Sequence, residues 1–191
     1  SFRSRDPRRR AFSERRVVKN FHPYYLAGRL PAANAADPNR PWEPHPASWR
    51  VHLLPYIEAG DLGNSYTLTE PWDGTTNTAL VSRMPRTYLC PSNPQAEAPA
   101  GHTFYRVFVS PVGVNPSAAF VDGGPGLKFS DFTDGMSNTL LAVEAAEAVP
   151  WTQPEGLAFA PDHPLPKLGG HFRGGFNGVM ADGSVRWFRA E

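Results

Sequence analysis

The chain has a single cysteine, Cys90, in 191 residues. An intramolecular disulfide is therefore excluded. A zinc site built on cysteines is disfavoured, because structural zinc needs several clustered ligands. No apolar run approaches the roughly 20 residues that span a bilayer. The best candidate, Thr139 to Val149, is short and contains Glu144 and Glu147. Ser1 opens a basic stretch with no apolar segment behind it, so no signal-peptide pattern is read; if the protein is exported, a leader lies outside this sequence or has been removed. Charged residues make up only 19% against 40% hydrophobic, which excludes a charged disordered polymer.

What is abundant is turn chemistry. Pro (21) and Gly (17) predict many turns and short elements, and make heptad coiled coils and helical bundles poor fits. The length favours one domain. The net charge of +1 conceals a division. Residues 1–16 carry seven arginines, including Arg8, Arg9, Arg10, Arg15 and Arg16, against Asp6 and Glu14, a balance of +5, which leaves −4 on the remainder. A basic arm on an acidic body suits an anionic partner or the acidic body of a neighbouring copy. It equally suits a solvated terminus.

Residues 1–22 are read as this arm with a short helix, starting at Ser13 and stopped by Pro23. Residues 23–191 are read as a single α+β domain. Trp49–Ile57 has helical spacing with a break at Pro55 and a stop at Gly60–Asp61. Glu70–Gly74 reads as a turn, Asn77–Met84 as a helical turn or two, and Tyr88–Ser92 as a short buried strand. Residues 103–114 and 137–144 are rich in strand formers. Residues 115–127 and 150–169 read as loops. Gly174–Phe188 reads as a β-hairpin on a tight turn at Asp182–Gly183, both residues being suited to positive φ. The expected architecture is short N-terminal helices packed on an antiparallel sheet, a C-terminal hairpin and many Pro/Gly-rich loops.

Several segments carry a resemblance. Thr133-Asp134-Gly135-Met136-Ser137-Asn138-Thr139, then a strand to Glu144, then Val149–Glu155, resemble the C-terminal half of a large bacterial family of unknown function, abundant in planctomycetes. Gly28–Ala33, Ser48–Glu58, Glu70–Asp73 and Met84–Ser92 resemble its middle segments in order. That family carries a prepilin-type N-terminus and a C-terminal His, nine residues, then Asp-Gly. Here ten residues separate His171 from Asp182-Gly183, and the long apolar N-terminal helix is absent. The resemblance implies a pilin-like head. It marks Asp134, Gly135, Ser137, Asn138, Thr139, His171, Asp182 and Gly183 as motif residues.

Reactive chemistry has little support. Asp122, Asp131, Asp134 and Asp182 are hard oxygen donors in turn-rich loops, a weak calcium reading, but none falls in an EF-hand pattern and turn chemistry accounts for them. The six histidines lack metal-type spacing. No nucleophile elbow, Cys-x-x-Cys or phosphate loop is present, and Glu144 with Glu147 makes a poor acid–base pair. Of the five tryptophans, Trp49 and Trp187 are expected inside, and Trp42 and Trp151 near loops where another chain can touch them.

The expectation is therefore a non-enzymatic structural subunit, without a cofactor, at the cell surface or outside the cell. It would assemble with copies of itself or with other envelope proteins into a filament or layer. A polysaccharide-binding module and an accessory subunit of an envelope complex are the alternatives; nucleic acid is not an expected partner.

Overall fold

The computed structural model describes residues 28–33, 47–90, 98–111, 118–124, 126–169 and 174–189. The arm, its short helix, Trp42 and His171 lie outside them.

Ser48 opens helix α1 (Trp49–His52), its hydroxyl accepting the Arg50 N–H at 3.3 Å. Pro55 has no N–H to continue the ladder, so the chain tightens into a 3₁₀ turn over Leu54–Tyr56. Gly60–Asp61 does not stop the chain, as the sequence predicts, but starts helix α2 (Gly60–Ser65). Asp61 sits in its first turn, where a carboxylate complements the helix dipole. Helix α3 (Thr75–Leu80) runs into a 3₁₀ turn over Val81–Arg83, matching the expected helical turns.

Four strands form an antiparallel sheet in the order β1 (His102–Arg106), β4 (Leu140–Pro150), β6 (Gly175–Met180) and β7 (Val185–Arg189). A second, parallel sheet places β2 (Phe108–Ser110) between β3 (Phe120–Val121) and β5 (Leu157–Ala158). The fold is α+β. The outer strands of the parallel sheet, β3 and β5, occupy segments read from sequence as loops, because two-residue strands carry no alternation to detect, whereas β2 falls within the strand-forming residues 103–114. Tyr88–Cys90 is not a strand either. Arg86–Tyr88 is a 3₁₀ turn, and the Tyr88 carbonyl accepts the Thr103 hydroxyl at 2.7 Å instead of a ladder N–H.

The register of β1 on β4 slips between Thr103 and Tyr105, so Ala145–Ala148 bulges from the ladder. Segment 167–169 covers the bulge: Ala146 N–H donates to Lys167 O at 3.1 Å, and Gly169 N–H to Glu144 O at 2.8 Å. Side chains of β4 are divided between two cores. Ala142 faces the larger one, with Trp49, Leu53, Leu54, Tyr88 and Trp151. Val143 and Ala145 face a smaller one between the sheets, with Phe108 and Leu157.

Two tryptophan expectations are corrected. Trp151 is fully buried, stacked on Tyr88 at 6.2 Å, and its indole N–H donates to Val81 O at 3.1 Å, so it is a core residue and not a contact for another chain. Trp187 is 42% exposed, because β7 is an edge strand with little packed beyond it. The hairpin forms as expected, but on a different turn. Gly183 alone takes positive φ (83°), its N–H donating to Met180 O at 3.0 Å, while Met180 N–H donates to Ser184 O at 2.8 Å. This is an ordinary turn closed by a glycine bulge.

Candidate functional site

The two terminal motif segments meet in space. Ahead of β4, the chain from Asp134 to Thr139 winds through turns: Asn138 Nδ2 donates to Asp134 O at 3.0 Å and the Thr139 hydroxyl to Gly135 O at 3.1 Å. Ser137 stays exposed. The hairpin turn docks on this segment, with Ala181 N–H on Thr139 O at 2.7 Å and Asp182 N–H on Met136 O at 3.1 Å. Asp182 and Gly183 therefore sit beside the Asp134–Thr139 turns. Where His171 falls relative to them lies outside the described residues.

Next to these turns a half-open cleft of about 370 Å³ separates the two sheets. Phe108 of β2 and Phe159 beyond β5 form one wall, edge to face at 5.7 Å. Phe176 and Phe188, partners across β6 and β7, form the other and stack at 5.5 Å. Gly178 permits this wall: a Cβ there would lie 2.8 Å from the Phe188 ring. Leu165, 62% exposed, stands at the mouth, and Phe132 contributes a fifth ring. Asp131, Thr133, Asp134, Asn138 and Thr139 add polar groups to the lining.

The carboxylates of the calcium reading have local roles. Asp131 accepts Lys128 N–H at 2.9 Å and the Ser130 hydroxyl at 3.3 Å. Asp182 accepts both the N–H (2.8 Å) and the hydroxyl (2.6 Å) of Ser184, and these bonds hold its carboxyl below the usual carboxylate range. Asp122 follows β3 and is exposed. Among the described residues no three Asp, Glu, His or Cys side chains converge as a metal site requires. Glu144 and Glu147 do not pair either, since Glu144 is buried and Glu147 exposed.

The buried polar groups form an internal frame. Arg50, with no exposed surface, donates Nε to Tyr105 O at 3.1 Å and Nη1 to the Ser48 hydroxyl at 2.9 Å, and its guanidinium lies 4.9 Å from the Trp49 ring centre. Burial pulls its pKa down to about 9, which leaves it protonated at neutral pH. Glu144 accepts Asn177 N–H at 2.9 Å, Asn177 Nδ2 at 3.1 Å and the Cys90 thiol at 3.3 Å. Asn77 Oδ1 accepts Thr67 N–H, and its Nδ2 donates to Thr67 O and Pro71 O, pinning the Glu70–Gly74 turn. Sequence reading singled out neither Arg50 nor Asn77. The available signal was an arginine inside an apolar block that has no other use for one.

Fold and site together define an α+β protein with Arg50, Asn77 and Glu144 hydrogen-bonded in its interior and an apolar, polar-rimmed cleft beside the Asp134–Thr139 turns. Residues 19–169 match the family described as "Protein of unknown function (DUF1559)", and the chain belongs to that family. The match ends ahead of β6, so the terminal hairpin lies beyond it. No curated protein and no solved structure matches the chain.

Proposed function

We propose that the chain is an exported, pilin-like structural subunit that assembles into an extracellular filament or surface layer. It acts through contacts with copies of itself or with other envelope proteins, and not as an enzyme. The observation that carries this reading is the separation of charge along one chain: +5 on residues 1–16 and −4 on the remainder. Such a division favours association of the arm of one copy with the body of another. The resemblance to planctomycete proteins with a prepilin-type N-terminus and a terminal His/Asp-Gly motif supports the same reading. So does the internal frame, which commits Arg50 and Glu144 to holding the body together. The test is charge reversal of Arg8, Arg9, Arg10, Arg15 and Arg16 to Glu. Light scattering should then show smaller particles than the unaltered chain; unchanged particle size rejects the reading.

One observation favours a second reading, a polysaccharide-binding module. Trp187 lies over the backbone of Gly175 and remains 42% exposed, a flat surface of the kind on which a sugar ring packs. A glycan array compared between the chain and Trp187→Ala tests it: hits lost in the variant support it, and an array without hits removes it.

A further inference from the structure

We infer that the phenylalanine cleft is the receiving site for residues 8–12 of a neighbouring copy, with Phe12 seated among the rings and Arg8–Arg10 on the acidic rim. The inference rests on the assembly reading and names the surface that reading leaves open.

Three observations carry it. The first is chemical match. The lining is apolar on both walls, with Phe108 and Phe159 facing Phe176 and Phe188, and it has Asp131 and Asp134 among its polar members. Asp134 has no side-chain hydrogen bond or ion pair among the described residues and is exposed. Arg186, on β7, acts on Asp182, where it adds to the lowering of that carboxyl. An occupant with an aromatic group beside several cations fits such a site, and Arg8-Arg9-Arg10-Ala11-Phe12 is that sequence. A cleft of about 370 Å³ is in the size range of pockets that enclose a compact ligand group.

The second is where the chain enters the body. Gly28 O accepts Phe129 N–H at 3.1 Å, and Leu30 N–H donates to Leu127 O at 2.9 Å. Leu127 itself lines the cleft. Each arm is therefore rooted beside a cleft, so two copies brought together at this face can exchange arms reciprocally around a two-fold axis.

The third is reach. With Ser13–His22 helical as read from the sequence and the rest extended, Phe12 to Gly28 spans roughly 35 Å, enough to reach a copy docked at this face.

The test uses the full-length chain with Phe12 replaced by the photoreactive p-benzoylphenylalanine, as a mixture of ¹⁵N-labelled and unlabelled copies. After irradiation, mass spectrometry should find mixed-label cross-links to peptides containing Phe159, Leu165, Phe176 or Phe188. Asp131→Asn with Asp134→Asn should lower their yield roughly fivefold, the effect of removing two exposed charge pairs. Leu165→Lys should abolish them without shifting the melting temperature, since Leu165 is 62% exposed and a cation at the mouth repels the arginines. Cleft cross-links found only in single-label form overturn the inference and give the cleft to the chain's own arm. Mixed-label cross-links elsewhere on the body overturn it and leave the assembly reading standing. A chain that is monomeric with or without its arginines overturns both.

Discussion

The Tyr88 hydroxyl donates to the Arg50 carbonyl at 2.7 Å, joining helix α1 to the 3₁₀ turn that precedes β1. On its other side the Arg50 guanidinium reaches the Tyr105 carbonyl in β1. One residue thus couples the helical layer to the sheet through both backbone and side chain. Arg50→Ala removes bonds to Ser48 and Tyr105 and opens a buried space. We expect a loss of about 3–5 kcal/mol, from the cavity left by a large buried side chain and a buried Tyr105 carbonyl deprived of its donor, measured by urea denaturation. Arg50→Lys should not restore it, because an ammonium cannot reproduce the planar fork.

Glu144 is the matching acceptor on β4. Glu144→Ala leaves Asn177 N–H and Nδ2 buried without their acceptor, and should destabilise the protein by about 2–3 kcal/mol. Glu144→Gln keeps one oxygen for Asn177 and should cost less than half of that. Equal losses in the two variants, from denaturation midpoints at constant m-value, would contradict the assigned bonds.

Tyr66 has its hydroxyl buried without a hydrogen-bond partner among the described residues, and burial followed by the charge of Asp73 pushes its pKa up to about 12. The neutral form is the one favoured in the folded state. Its contribution to stability is full below pH 10 and declines as pH rises towards 12. Stability measured across that interval should therefore fall more steeply in the parent than in Tyr66→Phe. The variant should also gain about 1 kcal/mol at neutral pH, by losing an unsatisfied polar group.

The elements legible in the sequence were those with local cause. The helical spacing from Trp49, Pro55 breaking it, and Asp182-Gly183 between two apolar runs each act within a few residues, and the structure has a helix, a break and a hairpin there. The elements that escaped depend on distant partners. β3 and β5 are strands only because β2 lies between them. Trp151 reads as a loop tryptophan beside Pro150 and Pro154, yet it is buried by Tyr88 and Val81, which precede it by 63 and 70 residues. The candidate site divides the same way. Asp134-Gly135 was visible as turn chemistry, but Ser137–Thr139 read as the start of a strand and instead wind through turns ahead of Leu140, and the cleft beside them draws Phe108, Phe159, Phe176 and Phe188 from four separate segments.

The central claim is that copies of this chain associate through a basic arm and an acidic body, and sedimentation velocity of the intact protein across ionic strength tests it most directly. At about 0.05 M salt, where screening is weak, an assembled species is expected; it should dissociate as salt approaches about 1 M, where the Debye length contracts to roughly 3 Å. A single monomeric boundary at every salt concentration would contradict the claim, as would an assembly indifferent to salt.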